Sequence, residues 1–374
     1  MNDPTNTVTT RSTAPLFRPY SVGTLELANR VVMAPMTRAL AKDGVPHEEF
    51  ADYYRRRAEG EVGLIVTQGT WVPHPLASNN PGVPRFYGED ALAGWKRVVD
   101  AVHRAGGRIF PQLWHVGLTI RQGEEPAAPS PLRSGPSGLA RRGVKVAEPM
   151  TQRDIDEVIE AFAVSAAVAR DLGFDGVELH GAHGYLLDQF FWTATNRRSD
   201  RYGGTPAHRN RFAAEIVEEV KRRAGSDFPL SLRFSQWKLQ DYGARLAQTP
   251  VALERWLEPL VNAGVDIFHC STRRFWEPEF RGSDLNLAGW TKKLTGKTTI
   301  TVGSVGLDQE FQRRDLQARL VSLDPLLKRL ENDEFDLVAV GRSVIANPNW
   351  GTLVRQGALD SLVPYRVESL GTLI

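Results

Sequence analysis

Two histidines and a tyrosine lie within six residues of one another, directly after a short apolar run. The run ends at His180, and a glycine-containing turn then carries His183 and Tyr185. Two imidazoles and a phenol on such a turn can hold a polar oxygen atom by hydrogen bonds and deliver a proton to it. The pattern therefore predicts a catalytic turn. The structural alternative is two histidines bonded to neighbouring protein groups and a half-buried aromatic ring.

The composition is that of an ordinary globular protein with a large core. The chain has 374 residues, of which 41% are hydrophobic and 24% are charged, and this length suits two domains or one large barrel. It carries 46 basic and 44 acidic residues, a net charge of +2, so neither a nucleic-acid partner nor a membrane surface is indicated. The single cysteine, Cys270, excludes disulfides within the chain and Cys-rich metal or iron–sulfur sites.

The first residues give no sign of a targeting segment. Residues 1–13 are polar and contain no apolar h-region, and no apolar stretch of the chain approaches the length of a membrane span. We therefore expect a cytoplasmic protein. We also expect a flexible segment over residues 1–14, followed by a single domain over residues 15–374.

Eight apolar runs alternate with helical patterns or long loops along the chain. Predicted strands cover residues 29–38 (stopped by Pro35), 62–69, 108–115, 174–180, 229–234, 265–270, 298–303 and 335–341. Predicted helices cover residues 47–60, 90–105, 151–172, 209–224, 250–263 and 308–332, with a short helix after Pro348. Residues 117–150 are rich in Pro, Gly and Ser and predict a long loop after strand three. The alternation predicts an α/β fold, a (β/α)8 TIM barrel with a C-terminal tail.

Polar residues and glycines interrupt each predicted strand at its carboxyl end. They are Thr37, Gln68, Gly69, Gln112, His180, Arg233, Cys270, Ser271, Gly303, Ser304, Gly341 and Arg342. The active sites of such barrels are built from these strand ends. The residues are therefore predicted to converge on one mouth, with the histidine turn as one of its walls.

The ends of predicted strands seven and eight resemble an anion site. Gly303-Ser304 follows strand seven, and Gly341-Arg342 follows strand eight. Backbone N–H groups and an arginine at these two positions are typical of phosphate binding in the barrel fold. The structural alternative is two tight turns and a surface arginine. No GxGxxG sequence occurs, so a Rossmann dinucleotide site has no support.

A metal site is a weaker interpretation of the same turn. Glu178 lies on the same side of its predicted strand as His180, and His183 follows nearby. No second His/Asp pair at ligand spacing stands at another strand end, although a catalytic metal usually needs three protein ligands. We therefore predict no metal. Paired carboxylates for glycoside hydrolysis are also absent from the predicted strand ends.

Several motifs together resemble the Old Yellow Enzyme family of FMN-dependent ene reductases. The resemblance extends from about Leu16 to Trp350. The matching segments are residues 29–38 (NRVVMAPMTR), 112–117 (QLWHVG), 180–190 (HGAHGYLLDQF), 196–204 (NRRSDRYGG) and 340–342 (VGR). Thr37 matches one branch of the family where another has cysteine, and the two histidines match the His/His form of the motif.

The resemblance implies FMN across the barrel mouth and NADPH or NADH as the hydride donor. It places Pro35, Met36 and Thr37 along the isoalloxazine, Gly69, Gln112 and Arg233 at the pyrimidine edge, and Gly303, Ser304, Gly341 and Arg342 around the phosphate. A fixed cation at the pyrimidine edge stabilises negative charge on the reduced flavin.

The resemblance also implies the substrate class and the roles of the histidine turn. His180 and His183 are expected to bond the oxygen of an α,β-unsaturated carbonyl compound or nitroalkene, and Tyr185 to supply a proton. Trp114 and the segment around Phe275 and Trp276 are expected to shape the pocket. The partner is then a small-molecule substrate, and a homo-oligomer is possible for the family.

Three alternatives stay open at this point. A related FMN oxidoreductase can act on another substrate class, such as amines. A metal-dependent TIM-barrel hydrolase would hold metal and no flavin. A non-catalytic flavin-binding protein would keep FMN without turning over any acceptor.

Overall fold

The computed structural model describes residues 8–78, 80–119, 134–310 and 318–374. Eight strands of these residues form a closed barrel in which each strand runs parallel to the next one along the chain, and the last pairs with the first. They are β1 (Val31–Met33), β2 (Leu64–Trp71), β3 (Arg108–Trp114), β4 (Val177–His183), β5 (Leu230–Lys238), β6 (Ile267–Ser271), β7 (Thr298–Val302) and β8 (Leu337–Val340). The predicted (β/α)8 barrel is confirmed.

Ten α-helices of the described residues pack around the barrel or cover its ends. They are α1 (Glu48–Glu59), α2 (Glu89–Arg104), α3 (Gln152–Leu172), α4 (Leu186–Phe191), α5 (Pro206–Ala224), α6 (Pro250–Ala263), α7 (Leu287–Thr295), α8 (Asp324–Glu331), α9 (Arg342–Ala346) and α10 (Trp350–Arg355). Their ends follow local chemistry. Thr151 and Asp154 form a capping box at the start of α3, and Gly173 ends that helix in the left-handed conformation.

Two apolar layers hold the barrel together. The larger one lies between the strands and the surrounding helices and includes Trp95, Phe162 and Trp256. The smaller one fills the barrel interior and includes Val32, Phe110 and Ile300. Because the strands are buried on both faces, they are near-continuous apolar runs, which is why the sequence pattern located them.

An N-terminal hairpin closes the amino end of the barrel. Its strands, Tyr20–Val22 and Leu25–Leu27, pair antiparallel, and Leu25 and Leu27 join the interior apolar cluster. The sequence analysis did not predict this hairpin. With its amino end closed, the barrel is accessible from the carboxyl ends of the strands, where the predicted site lies.

The predicted helix over residues 308–332 is wrong over much of its length. In the described residues, helix α8 covers only Asp324–Glu331. Leu307 and Leu320 instead form an antiparallel bridge, and Asp308 pairs with Arg319 at 2.9 Å. These contacts join two arms of the segment that a continuous helix would hold far apart. Residues 311–317 lie outside the described residues.

Helix α5 begins three residues earlier than predicted. The sequence pattern placed its start at Arg209, but the helix begins at Pro206, with Thr205 as its cap. The Thr205 hydroxyl accepts the His208 N–H, and proline suits the first helical position because its φ angle is already fixed there. Helix α7, in contrast, was not predicted at all.

The predicted long loop after strand three contains a second hairpin. Residues 120–133 lie outside the described residues, while Leu139–Arg141 and Val144–Lys145 pair antiparallel. At the N-terminus, residues 1–7 are also outside the described part. Thr10 bonds the Asp324 carboxylate at 2.6 Å, so the chain contacts helix α8 from this point.

Within the described ranges, no helix combines the length and the apolar composition that a membrane crossing requires.

Candidate active site

A cavity of about 560 Å³ opens at the carboxyl ends of the barrel strands. Every residue assigned above to the cofactor or the substrate lines it, except Phe275 and Trp276. Among the other predicted strand-end residues, Ser271 lines the cavity, but Gln68 and Cys270 do not. Gln68 instead accepts the Arg38 N–H at 2.8 Å, and Cys270 is buried in the apolar layer beneath the helices. The predicted residues on its wall are Pro35, Met36, Thr37, Gly69, Gln112, Trp114, His180, His183, Tyr185, Arg233, Gly303, Ser304, Gly341 and Arg342. These residues come from seven different strands or strand ends, so barrel closure, and not proximity in the chain, brings them together.

Phe275 and Trp276 lie away from this cavity. Phe275 is 4% exposed and belongs to the apolar layer beneath the helices, and Trp276 packs against that same layer. The Phe275 N–H donates to the Gly303 carbonyl at 3.1 Å, which turns the segment inward. Thr272 and Arg273 are the residues of this turn that line the cavity instead.

A wall that the sequence analysis missed comes from the end of β5. The sequence pattern ended this strand at Phe234, but it continues to Lys238 and is buried throughout. The continuation brings Trp237, Leu239 and Tyr242 to the cavity. Residues 235–238 have the sequence Ser-Gln-Trp-Lys, which shows neither an apolar run nor a regular alternation of apolar and polar residues. The sequence pattern therefore gave no reason to extend the predicted strand beyond Phe234.

Among the three predicted catalytic rings, His180 contacts both of the others, and Trp114 packs against two of them. The ring centroids of His180 and Tyr185 are 4.8 Å apart, and those of His180 and His183 are 5.2 Å apart. Trp114 meets Tyr185 edge-on at 5.0 Å and stacks near His180 at 6.2 Å. The sequence-predicted cluster is therefore a compact group of donors on one wall of the cavity.

The turn that carries these rings has an unusual backbone. His183 has φ of 65° and Gly184 has φ of 83°, so two successive residues are left-handed. The left-handed φ of Gly184 favours glycine, and a Cβ atom there would also lie 2.0 Å from Oε1 of Gln240, so the Gln240 side chain would have to move. The strained His183 backbone is held by two hydrogen bonds, from its N–H to Ser235 Oγ at 3.0 Å and from Leu239 N–H to its carbonyl at 3.2 Å.

Burial and a neighbouring cation keep both histidines neutral. Burial, reinforced by the positive charge of Arg233, lowers the pKa of His180 to about 3. The same two causes hold the pKa of His183 well below its ordinary value. At neutral pH the two rings can therefore donate hydrogen bonds without carrying a charge.

Glu178 is occupied by a buried network below the cavity. Its carboxylate accepts hydrogen bonds from Gln112 Nε2 at 2.8 Å, His269 Nδ1 at 2.8 Å and Ser231 Oγ at 3.0 Å. Burial alone would raise the pKa of Glu178, but His269 and Arg233 outweigh it and the pKa is lowered. Burial lowers the pKa of Arg233, and the negative charge of Glu178 opposes that shift, so the two buried charges stabilise each other.

The described residues contain no group suited to a metal ion. Among residues 8–78, 80–119, 134–310 and 318–374, no three His, Cys, Asp or Glu side chains lie close enough together to serve as ligands. Glu178, which the metal interpretation required, points its oxygens at Gln112, His269 and Ser231 instead.

The loops after β7 and β8 meet at the opposite end of the cavity. Arg342 donates from Nη2 to Ser304 Oγ at 3.2 Å and also to the Gln309 carbonyl. Ser304 has φ of 52°, again left-handed. The backbone N–H groups of Ser304, Val305 and Gly341 have no hydrogen-bond acceptor among the described residues. Free amides beside an arginine are the arrangement expected of an anion site.

Acidification should destabilise the fold through its buried histidines. A group whose folded-state pKa is lowered stabilises the protein above the unfolded pKa, near 6.5, and that stability is lost as the pH falls towards the folded value. For His180, with a folded pKa of about 3, the loss between about pH 7.5 and about pH 5 is roughly 2 kcal/mol. His183 and His115 shift in the same direction.

Urea unfolding of the wild type and of His180→Asn, at about pH 7.5 and about pH 5, measures this loss of stability. The variant should show a smaller difference in unfolding free energy between the two pH values, by roughly 2 kcal/mol. An equal pH dependence in the two proteins would show that His180 protonates as easily in the folded state as in the unfolded chain.

Comparison with known proteins identifies the family. The model of the NADH:flavin oxidoreductase / NADH oxidase family matches residues 15–360. The chain is 34% identical over 351 residues to a putative 12-oxophytodienoate reductase 2 from Oryza sativa subsp. japonica, covering 93% of this chain and 88% of the relative. It is 35% identical over 360 residues to an NADH oxidase from Thermoanaerobacter brockii, covering 93% of this chain but spanning only 52% of the relative.

Solved structures give the same result. An Old Yellow Enzyme homologue from Zymomonas mobilis aligns with a TM-score of 0.78 and 25% identity over 96% of each chain. Morphinone reductase in complex with tetrahydroNAD aligns with a TM-score of 0.76 and 29% identity, over 95% of this chain and 93% of that one. The chain therefore belongs to the NADH:flavin oxidoreductase / NADH oxidase family, in its Old Yellow Enzyme group, and is an NAD(P)H-dependent flavin oxidoreductase.

Proposed function

We propose that this protein is an FMN-dependent ene reductase. It uses NADPH or NADH to reduce the activated C=C bond of enones, enals, maleimides or nitroalkenes. The observation that carries the proposal is the neutral donor group of His180, His183 and Tyr185 on one wall of a 560 Å³ cavity. Such a wall suits an uncharged substrate oxygen that gains negative charge during reaction.

The cavity residues fit FMN at both of its polar ends. Arg233 is 7% exposed, and its Nε is buried without a hydrogen-bond partner among the described residues, so it suits the acceptor atoms of a flavin pyrimidine. Pro35, Met36 and Thr37 would line the ring system. The free amides beside Arg342 would hold the phosphate.

Bound FMN would supply the hydride chemistry, accepting a hydride from the nicotinamide cofactor and passing one to the substrate. The protein supplies binding and polarisation. His180 and His183 would donate hydrogen bonds to the substrate oxygen, and their neutrality makes them donors that need no counterion. Trp114 and Trp237 stack on these two rings and would confine the substrate.

Tyr185 is the proposed proton donor. Its ring meets both Trp114 and His180 edge-on, at 5.0 Å and 4.8 Å between centroids, so the phenol belongs to the same wall as the histidines proposed to bind the oxygen. A phenol keeps its proton at neutral pH and can release it to a carbon that gains electron density.

Anaerobic visible absorption of the purified protein tests the proposal in one experiment. A flavin spectrum should bleach on addition of NADPH or NADH and return on addition of cyclohexenone. A bleach without return, repeated with a maleimide and a nitroalkene, would contradict the ene-reductase proposal and favour another substrate class. A protein that remains colourless after incubation with FMN would contradict the cofactor assignment. Parallel titrations with the two nicotinamide cofactors would show which is preferred.

A further inference from the structure

A buried serine joins the cavity cation to one of the two oxygen-binding histidines. Ser271 ends β6 and is 2% exposed. Arg233 donates from Nη2 to Ser271 Oγ at 3.3 Å, and Ser271 Oγ lies 2.8 Å from His183 Nε2. The sequence separations are 38 and 88 residues, so the three groups meet only because β4, β5 and β6 are neighbours in the barrel.

The positions of the protons follow from hydrogen-bond accounting. Arg233 can only donate, so Ser271 Oγ is the acceptor in the first bond. The serine hydroxyl hydrogen then needs an acceptor, and within the described residues His183 Nε2 is the one that the structure offers. If His183 donated instead, the buried hydroxyl hydrogen would have no acceptor there, at a cost of about 1–3 kcal/mol.

We infer that Ser271 is a positioning residue that holds His183 in the tautomer protonated at Nδ1. With Nε2 accepting from Ser271, the single proton of the neutral ring lies on Nδ1. His183 Nδ1 has no hydrogen-bond partner among the described residues, and the residue lines the cavity. The Nδ1–H is thereby left for a ligand oxygen.

His180 uses the opposite arrangement. Its Nδ1 accepts the Ala182 N–H at 3.4 Å, which leaves its proton on Nε2. The two rings are T-shaped to each other, with an interplanar angle of 86°. One histidine therefore offers Nε2–H and the other offers Nδ1–H, and two nearly perpendicular rings can direct their donors to one atom.

Trp237 fixes both ends of the Ser271–His183 bond. Its indole stacks on the His183 ring at 4.4 Å and 25°, and its Nε1–H donates to the Ser271 carbonyl at 3.1 Å. The ring plane of His183 and the backbone of Ser271 are thus held by one side chain. This contact comes from the part of β5 that extends beyond the predicted strand.

The use of the Nδ1–H by a substrate depends on the proposed function, but the tautomer itself does not. Long-range ¹H–¹⁵N spectra of the purified protein, with ¹⁵N-labelled histidine at neutral pH, distinguish a protonated from an unprotonated ring nitrogen. The His183 signals are assigned by their loss in His183→Asn. In the wild type, Nδ1 should show a pyrrole-type shift and Nε2 a pyridine-type shift.

Three variants distinguish a specific effect of the Ser271 hydroxyl on the His183 tautomer from a general disturbance of the site. Ser271→Ala should remove the pyrrole-type shift of His183 Nδ1 in whole or in part, and Ser271→Thr, which keeps the hydroxyl, should restore it. Ser235→Ala is the matched control, because the fully buried Ser235 hydroxyl bonds the His183 backbone N–H and not its ring. That variant should leave the ring tautomer as in the wild type.

Any of three results would overturn the inference. The first is a wild-type His183 protonated at Nε2, and this measurement requires no variant to fold. The second is an unchanged His183 tautomer in Ser271→Ala, and the third is the same change of tautomer in Ser235→Ala as in Ser271→Ala. Because the shift is read from the imidazole itself, a protein that reduces no alkene can still confirm or refute the role of Ser271.

Discussion

Tyr185→Phe is expected to slow the reoxidation of the protein by an enone about 10²–10⁴-fold, the usual contribution of a positioned general acid. The NAD(P)H half-reaction should keep its wild-type rate, because no proton from Tyr185 is needed there. Phenylalanine preserves the ring contacts with Trp114 and His180, at 5.0 Å and 4.8 Å, so the change removes the hydroxyl and little else. Anaerobic stopped-flow absorbance measures the two half-reactions separately.

Tyr242→Phe provides the matched control for this result. Tyr242 lies on the β5 side of the same cavity, where its ring contacts Trp237 and Arg273. Removal of the Tyr242 hydroxyl should leave the ratio of the two half-reaction rates near the wild-type value. If Tyr185→Phe kept both rates, or if Tyr242→Phe slowed reoxidation as strongly, Tyr185 would not be the proton donor.

Lys238→Met is expected to lower the free energy of unfolding by about 3–5 kcal/mol, the cost of leaving one partner of a buried ion pair alone. Lys238 and Asp188 are both 0% exposed, and their charged atoms lie 2.8 Å apart. Burial raises the pKa of Asp188 to about 6, and the adjacent Lys238 keeps it from rising further. Methionine keeps the length of the side chain, so the charge is the main loss.

This pair also holds the turn that carries His183 and Tyr185. Asp188 accepts the Gly184 N–H through its other oxygen at 2.8 Å, and Gly184 is the left-handed residue between His183 and Tyr185. A variant that disturbs Asp188 should therefore slow acceptor reduction as well as lower stability. The buried Lys238–Asp188 pair thus helps to fix the backbone of the turn on which His183 and Tyr185 lie.

Urea unfolding of three variants checks the assignment. Asp188→Asn combined with Lys238→Met removes both charges and should recover most of the stability lost in Lys238→Met alone. Lys96→Met breaks a pair with Asp100 on helix α2 whose side chains are 48% and 41% exposed, and should change stability by less than about 1 kcal/mol. A similarly small effect in Lys238→Met would contradict a buried, ionised pair.

Local sequence patterns were sufficient to find the fold and most of the cavity. Each barrel strand is a short apolar run that ends in a polar residue or glycine, and this pattern depends only on the strand itself and on its burial on both faces. The run ending at His180 and the one containing Gln112 were located this way. Since parallel barrel strands all end at one mouth, their end residues had to meet, and 14 of the 16 predicted site residues line the cavity.

The errors arise where the structure depends on contacts between distant segments. The helix predicted from residue 308 is interrupted because Leu307 pairs with Leu320, and no local pattern shows that bridge. Phe275 and Trp276 are aromatic residues on a turn, and sequence alone does not show whether such a ring faces the cavity or the apolar layer. The hydrogen bond from Phe275 N–H to Gly303 decides it, and that contact joins the ends of β6 and β7.

The sequence by itself determined the chemical groups: two histidines, a tyrosine, a cation and two glycine turns at the ends of barrel strands. Only the tertiary structure decided how those groups are held. The proton position in His183 depends on Ser271, and the turn beneath it depends on Lys238, residues that lie 88 and 55 positions further along the chain. The physical reason is that strand and turn formation depend on neighbouring residues, whereas tautomers, lowered pKa values and buried ion pairs depend on what barrel closure places alongside them.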